Sequence, residues 1–265
     1  IPGIPAGIPI GVGSGDNAAA SLALAVHEGD AVLSIGTSGV VYTRSATPVQ
    51  DYDGYVCSYA DATGVHLPLV ATLNAARNFD AGTALLGCSY DELATLALQA
   101  PAGAEGLTLL PFFESERTPD LPHARGTMHG ATLANFSRKN FARAVIEGTL
   151  ASQVAMLDIL AASDLAVERL MLIGGAAKSS AVQRILAQMV DLPVVVPALD
   201  EYVTKGAAMQ AAATLIGSFP AWTVTTDQLP QYEVEPQIIA QRDAAMQALG
   251  YVSEVHQTAL ASVTA

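Results

Sequence analysis

The chain has 265 residues, with 12 Lys and Arg against 25 Asp and Glu, giving a formal net charge of −13. A field of that sign repels phosphate backbones and anionic lipid, and no Lys/Arg cluster makes a local exception, so neither nucleic acid nor a membrane surface is an expected partner. Hydrophobic residues make up 51% and charged residues 14%, about half the usual ~25% charged share. That excludes disorder, because a fold of this length hides roughly 70–75% of its unfolded surface.

Cys57 and Cys88 lie too far apart for a CxxC, and two cysteines support neither a disulfide framework nor a zinc site, so a cytoplasmic location is expected. The apolar runs are short and broken by Gly, Pro and charge, below the ~20 residues of a spanning helix. No basic segment precedes an apolar one at the start. The opening Ile1-Pro2-Gly3-Ile4-Pro5, without Met, reads as an interior cut or a processed start.

Taken in chain order, Pro9 to Gly15 reads as a strand ending in a glycine turn, and Asp16-Asn17 leads into a buried helix over Ala18 to Val26. Ala31 to Ile35 and Val40 to Thr43 are β-branched runs around Gly36-Thr37-Ser38-Gly39, a hairpin with a polar, glycine-bounded tip. Tyr55 to Tyr59 adds a third strand. Helical stretches are expected from about Leu69 to Leu86 and from Ser89, where Ser89 and Glu92 have capping-box spacing. Leu107 to Phe113 reads as a buried strand, Glu114 to His123 as a polar loop, and Gly126 to Ala131 as a short strand. The longest helix is capped by Ser137 and carries Ile146, Leu150, Val154 and Leu157 as one apolar stripe. Arg169 to Ile173 is a strand running into Gly174-Gly175-Ala176-Ala177-Lys178-Ser179 and then a helix to about Val190. Val194 to Val196 is a strand, and Tyr202 to Ile216 a helix whose Gly206, Ala207, Ala208, Ala211 and Ala212 suit close approach to a sheet. One more helix is expected from Pro236 to Leu249. The order predicts an α/β fold, a mixed sheet covered by helices.

Three segments have the composition of a ligand site. Gly36 to Gly39 offers backbone N–H groups and two hydroxyls that suit a phosphate, or it is a plain turn. Asp16 opens a helix after Gly13-Ser14-Gly15. It is either an N-cap or a general base toward a substrate hydroxyl, where the positive helix end favours a negative charge. Gly174-Gly175 with Lys178, between a strand and a helix, brings backbone against a nucleotide or is only a tight turn. The P-loop spacing and G-x-G-x-x-G are both absent. His27, His66, His123, His129 and His256 show no paired metal spacing. Arg117 and Asp120 fit a solvated loop, and the two cysteines fit core or half-buried thiols.

In this order, Gly15-Asp16-Asn17-Ala18-Ala19, Ser34-Ile35-Gly36-Thr37-Ser38-Gly39 and Ile173-Gly174-Gly175-Ala176-Ala177-Lys178-Ser179 resemble the FGGY carbohydrate kinases, and among them most nearly the xylulokinases. The likeness runs on through Gly126 to Glu147, Leu192-Pro193-Val194, Glu201-Tyr202-Val203 and Gly206-Ala207-Ala208, to about Gly217. It implies an actin-like, ribonuclease-H-like ATPase domain that transfers the γ-phosphoryl of ATP, with Mg²⁺ on the phosphates. The implied acceptor is the 5-hydroxyl of D-xylulose, with gluconate, ribulose or glycerol as alternatives. A non-catalytic actin-like nucleotide-binding module is the alternative outside the enzyme class. On this resemblance Asp16 is the catalytic base, Asp16 and Asn17 contact the sugar, and Gly36, Thr37, Ser38 and Gly39 form a phosphate loop. Gly174, Gly175, Ala176, Ala177 and Lys178 match the adenosine motif, with Ala176 where the family usually has a third Gly.

Family members are about twice as long, and their first phosphate loop, D-x-G-[ST], is absent from this sequence. The implied organisation is an inter-lobe segment over residues 1–29 and a nucleotide-binding C-terminal domain over residues 30–265. The sugar-binding N-terminal lobe is then missing and the piece alone inactive. A homodimer is compatible with this organisation, and no residue pattern fixes the assembly.

Overall fold

A computed structural model describes Gly3, residues 5–198 and residues 200–251. In chain order the elements are α1 (Asp16–Leu24), β1 (Asp30–Ile35), β2 (Gly39–Thr43), β3 (Cys57–Ala60), β4 (His66–Thr72), α2 (Ala76–Leu86), α3 (Tyr90–Gln99), β5 (Thr108–Leu110), β6 (Thr127–His129), α4 (Arg138–Ala162), β7 (Arg169–Ile173), α5 (Ser180–Ala187), β8 (Val194–Pro197), α6 (Tyr202–Ile216), β9 (Thr226–Gln228) and α7 (Gln237–Ala248).

Seven strands form one mixed sheet in the order β3-β4-β2-β1-β7-β8-β9, and β5 and β6 pair separately. β1, β7 and β8 run parallel, and the remaining pairs are antiparallel. The β1–β7 register sets Asp30 opposite Arg169, where the guanidinium makes a two-pronged pair with the carboxylate at 2.8 Å on both arms. Alternation along β1 divides the core. Ala31, Leu33 and Ile35 join the large cluster formed with α3, α4 and α5. Val32 turns to the opposite face with Tyr42, Met171 and Ile173, beneath Ala18 and Leu24 of α1. A sheet covered on both faces explains why its central strands read as nearly continuous apolar runs.

The hairpin, the capping box and the long helix form as their sequence patterns predict. Ile35 pairs with Gly39. Ser89 accepts from the Glu92 N–H while Glu92 accepts from Ser89 N. Ser137 caps α4, whose stripe residues are all buried. α4 is long and apolar enough to cross a membrane by length and composition, but 78% of its apolar window is buried within the fold.

Several expectations are corrected. Residues 9–15 form no strand: a strand needs a neighbour for its N–H and C=O groups, and none lies alongside among the described residues, so Ile10 and Val12 are exposed. Leu69 to Thr72 belongs to β4, held between β2 and β3, so tertiary pairing overrides the helical reading and α2 starts at Ala76. The strand expected over Leu107 to Phe113 contracts to Thr108–Leu110, because Pro111 has no N–H to donate. The helix expected to reach Val190 ends at Ala187. Of the small residues of α6 only Gly206 makes the close approach, and it meets a helix, not the sheet: a Cβ there would stand 1.9 Å from the Ala19 carbonyl oxygen of α1, while Ala207, Ala208 and Ala211 are exposed.

Candidate functional site

The three parallel strands bring their C-terminal ends to one edge of the sheet, the place where open α/β sheets collect their ligands. A cleft of about 440 Å³ opens there. β7 ends in Gly174, at φ 92° and ψ 178°. A Cβ at this position would lie 2.5 Å from the Ile35 carbonyl oxygen. Only glycine lets the β7 turn rest on the end of β1. Gly175–Lys178 then make one 3₁₀ turn, and the Ser179 hydroxyl accepts from Val182 N to start α5.

α1 supplies the opposite wall. Its N-cap is Gly15, not Asp16, and Asp16 is the first helical residue. Asp16 Oδ1 accepts from the Asn17 N–H at 2.8 Å, and the side chain is exposed. The close packing of α1 on α6 at Gly206 holds this helix end over the sheet edge.

Of the residues singled out in the sequence, Asp16, Asn17, Gly174, Gly175, Ala177 and Lys178 line this one cleft. Ala176 is outside that lining and packs, partly buried, against the main core. Gly36 to Gly39 do not line it either. They follow directly on Ser34, which does line it, and on Ile35, which touches Gly174. Thr37 and Ser38 at the tip are exposed, and Gly39 is buried.

Sequence reasoning gave no site role to Tyr42, Asp200, Glu201 or Tyr202, which also line it. The available signal was β8, a third parallel strand whose following turn, Asp200-Glu201, must open at the same edge as Gly174. Asp200 pairs with Lys205 at 3.2 Å, and the hydrogen bonds from Lys205 and the Glu201 N–H hold its carboxyl below the usual range. Tyr42 is fully buried, and its hydroxyl has no hydrogen-bond partner among the described residues. Burial, with a smaller push from the Asp16 charge, drives its ionisation far above the ordinary phenol range, so it stays a neutral hydroxyl.

The cleft lining thus carries the carboxylates of Asp16, Asp200 and Glu201 and the ammonium of Lys178, with Asp200 paired to Lys205. Among the described residues no group of three or more His, Cys, Asp or Glu could hold a metal ion. That includes His27, His66, His123 and His129, while His256 lies outside the described residues. Arg117 and Asp120 are exposed in their loop, away from the cleft lining. Cys57 and Cys88 are free and half-buried.

Residues 31–215 match the FGGY family of carbohydrate kinases, C-terminal domain. Xylulose kinase of Streptomyces rubiginosus is 39% identical over 216 residues, covering 81% of this chain and 43% of that protein. Gluconokinase of Bacillus subtilis is 26% identical over 257 residues, covering 87% of this chain and 50% of that protein. The crystal structure of xylulose kinase from Bifidobacterium adolescentis superposes with a TM-score of 0.81 at 45% identity, covering 89% of this chain and 47% of that one. The chain therefore spans half or less of the length of each of these proteins.

Proposed function

This chain belongs to the FGGY family of carbohydrate kinases, with the actin-like, ribonuclease-H-like ATPase fold, and we propose that it is the nucleotide-binding part of an ATP-dependent kinase whose acceptor is D-xylulose. The observation that carries this reading is the shared cleft: the Asp16 carboxylate and the Gly174-Gly175 turn face one space at the C-terminal edge of the parallel strands. In the proposed reaction Asp16 accepts the proton of the sugar 5-hydroxyl as its oxygen bonds to the γ-phosphorus. The bond from that phosphorus to the β-γ bridging oxygen breaks, and ADP and D-xylulose 5-phosphate leave. Asn17 contacts the sugar, Gly36 to Gly39 hold phosphate oxygens, and Gly174 to Lys178 hold the adenosine side. Phosphoryl transfer asks little covalent chemistry of a protein, so alignment and charge neutralisation are the work these groups supply.

Among the described residues no group of three or more His, Cys, Asp or Glu offers a resident metal its ligands. Mg²⁺ typically binds through one or two carboxylates plus substrate phosphates, so its proposed place is on the nucleotide phosphates, whose charge it would offset. Residues 1–29 are read as the inter-lobe segment carrying the base and residues 30–265 as the C-terminal domain, with most sugar contacts supplied from outside this chain. ATP and the sugar are the proposed partners, in the cytoplasm.

The test is ADP release with ATP, Mg²⁺ and D-xylulose, run on this chain and on the full product of its gene. Turnover by the full product only when sugar is present supports the reading. The likeness to gluconokinase makes gluconate the second acceptor to assay, with ribulose and glycerol beside it, and preference for one of these replaces xylulose. A full product that binds ATP but turns over none of them refutes the kinase reading in favour of a nucleotide-binding module.

A further inference from the structure

Glu116 is 2% exposed, inside a loop that the sequence marks as polar and solvated. Its carboxylate is held by N–H donors: Oε1 accepts from Leu73 N at 2.6 Å and Arg117 N at 2.7 Å, and Oε2 from Asn74 Nδ2 at 2.9 Å and Asn74 N at 3.3 Å. Burying a charge is costly unless such bonds satisfy it, so this one has to fix something whose position matters.

What it fixes is the strip of chain from Thr72 to Ala76, on which both ends of the Gly36–Gly39 hairpin tip rest. At one end the Ala76 N–H donates to the Gly36 carbonyl at 2.9 Å. At the other, Gly39 pairs with Thr72, and a Cβ on Gly39 would fall 1.7 Å from Gln153 Oε1 and 2.7 Å from Thr72 Oγ1. Gln153, fully buried in α4, ties the same strip together: Thr72 Oγ1 donates to its Oε1 at 3.2 Å, and its Nε2 donates to the Asn74 carbonyl at 3.0 Å. Glu116 and Gln153 both hold the strip, and the tip is pinned to it at Gly36 and at Gly39, with Thr37 and Ser38 exposed between them.

We propose that Glu116 is a positioning residue for the Gly36–Gly39 tip, and through it for the phosphate chain of the bound nucleotide. This rests on the reading of that tip as a phosphate loop. Glu116 touches no reacting atom. Its part is to hold Leu73 and Asn74 so that the N–H groups and hydroxyls of the tip keep one arrangement, the pre-organisation that a weak, exposed loop cannot supply for itself.

The test is calorimetric binding of ATP with Mg²⁺, and separately of adenosine, to this chain. In Glu116→Gln one oxygen becomes an NH₂ facing two N–H donors. The Kd for ATP is expected to rise about tenfold, equivalent to losing one hydrogen bond to a charged group, while the Kd for adenosine stays unchanged. Asn74→Ala, which leaves the carboxylate in place, should shift ATP in the same direction and serves if Glu116→Gln does not fold. Ser38→Glu, at the exposed tip, sets a carboxylate against the phosphates and should also weaken ATP but not adenosine. If Ser38→Glu weakens ATP and Glu116→Gln does not, or if Glu116→Gln weakens adenosine equally, the positioning role is overturned. If Ser38→Glu leaves ATP binding intact, the phosphate-loop reading fails and takes the proposal with it.

Discussion

Gly206→Ala sets two effects of opposite sign against each other. Inside a helix, Ala is favoured over Gly by about 1 kcal/mol, so an isolated α6 would gain. In the fold, the added Cβ would meet the Ala19 carbonyl oxygen at 1.9 Å, the carbonyl carbon at 2.5 Å and the Cα at 2.8 Å. All three are backbone atoms that no rotamer change can move. Reaching an ordinary 3.4 Å contact requires α1 and α6 to part by about 1.5 Å at that point. Overpacking of this kind costs about 1–3 kcal/mol, and the larger values apply where backbone must shift. After the propensity gain a net loss of about 1–2 kcal/mol remains, a Tm decrease of about 2–8 °C for a chain of this size. The functional effect should exceed the stability effect, because α1 carries Asp16 three residues before Ala19 and a 1 Å misplacement near the chemistry can cost about 100-fold. Thermal melts of this chain and turnover by the full gene product read the two effects separately. A variant that melts higher than wild type with unchanged kcat would refute the claim that helix contact at Gly206 places the cleft wall.

Asp16→Asn keeps the shape of the side chain and removes the proton acceptor, so kcat in the full product should fall at least ~100-fold while the Kd for ATP changes little; near-normal kcat would remove Asp16 from the base role. Asp61 is opposed by burial but held net below the usual carboxyl range by the Thr63 and Val65 N–H groups, the Thr63 hydroxyl and Arg44. A depressed folded value means stability present above the ordinary Asp pKa of about 3.9 and lost as pH falls through the folded value. Asp61→Asn should therefore lower stability at pH 7 and lower it progressively less below pH 4, and denaturant melts showing the same cost at both ends would contradict this. Tyr42→Phe removes a buried hydroxyl without a partner and should leave Tm equal or slightly raised; a clear drop would show that the hydroxyl has an acceptor in solution.

Much of the site was legible because its parts are local. A strand, a glycine pair and a helix start lie within a few residues at Ile173 to Ser180, and the hairpin declares itself by β-branched runs around Gly36 to Gly39. The capping box at Ser89 and the long stripe of α4 are likewise patterns whose physics acts over one or two turns. What the sequence left open depends on neighbours distant along the chain. Leu69 to Thr72 suits a helix until β2 and β3 supply strands on both sides, and Pro9 to Gly15 suits a strand that no described neighbour completes. The small residues of α6 announce close packing but not that α1 is the partner. Glu116 reads as solvated in a polar loop and is buried because Leu73 and Asn74, more than forty positions earlier, turn their N–H groups onto it. Sequence alone picked out the segments now proposed to meet a phosphate and a proton. Only the tertiary structure decided that Asp16, Gly174 and Lys178 share one cleft and that Asp200, Glu201 and Tyr42 line it too, since parallel strands bring remote turns to a common edge by non-local pairing.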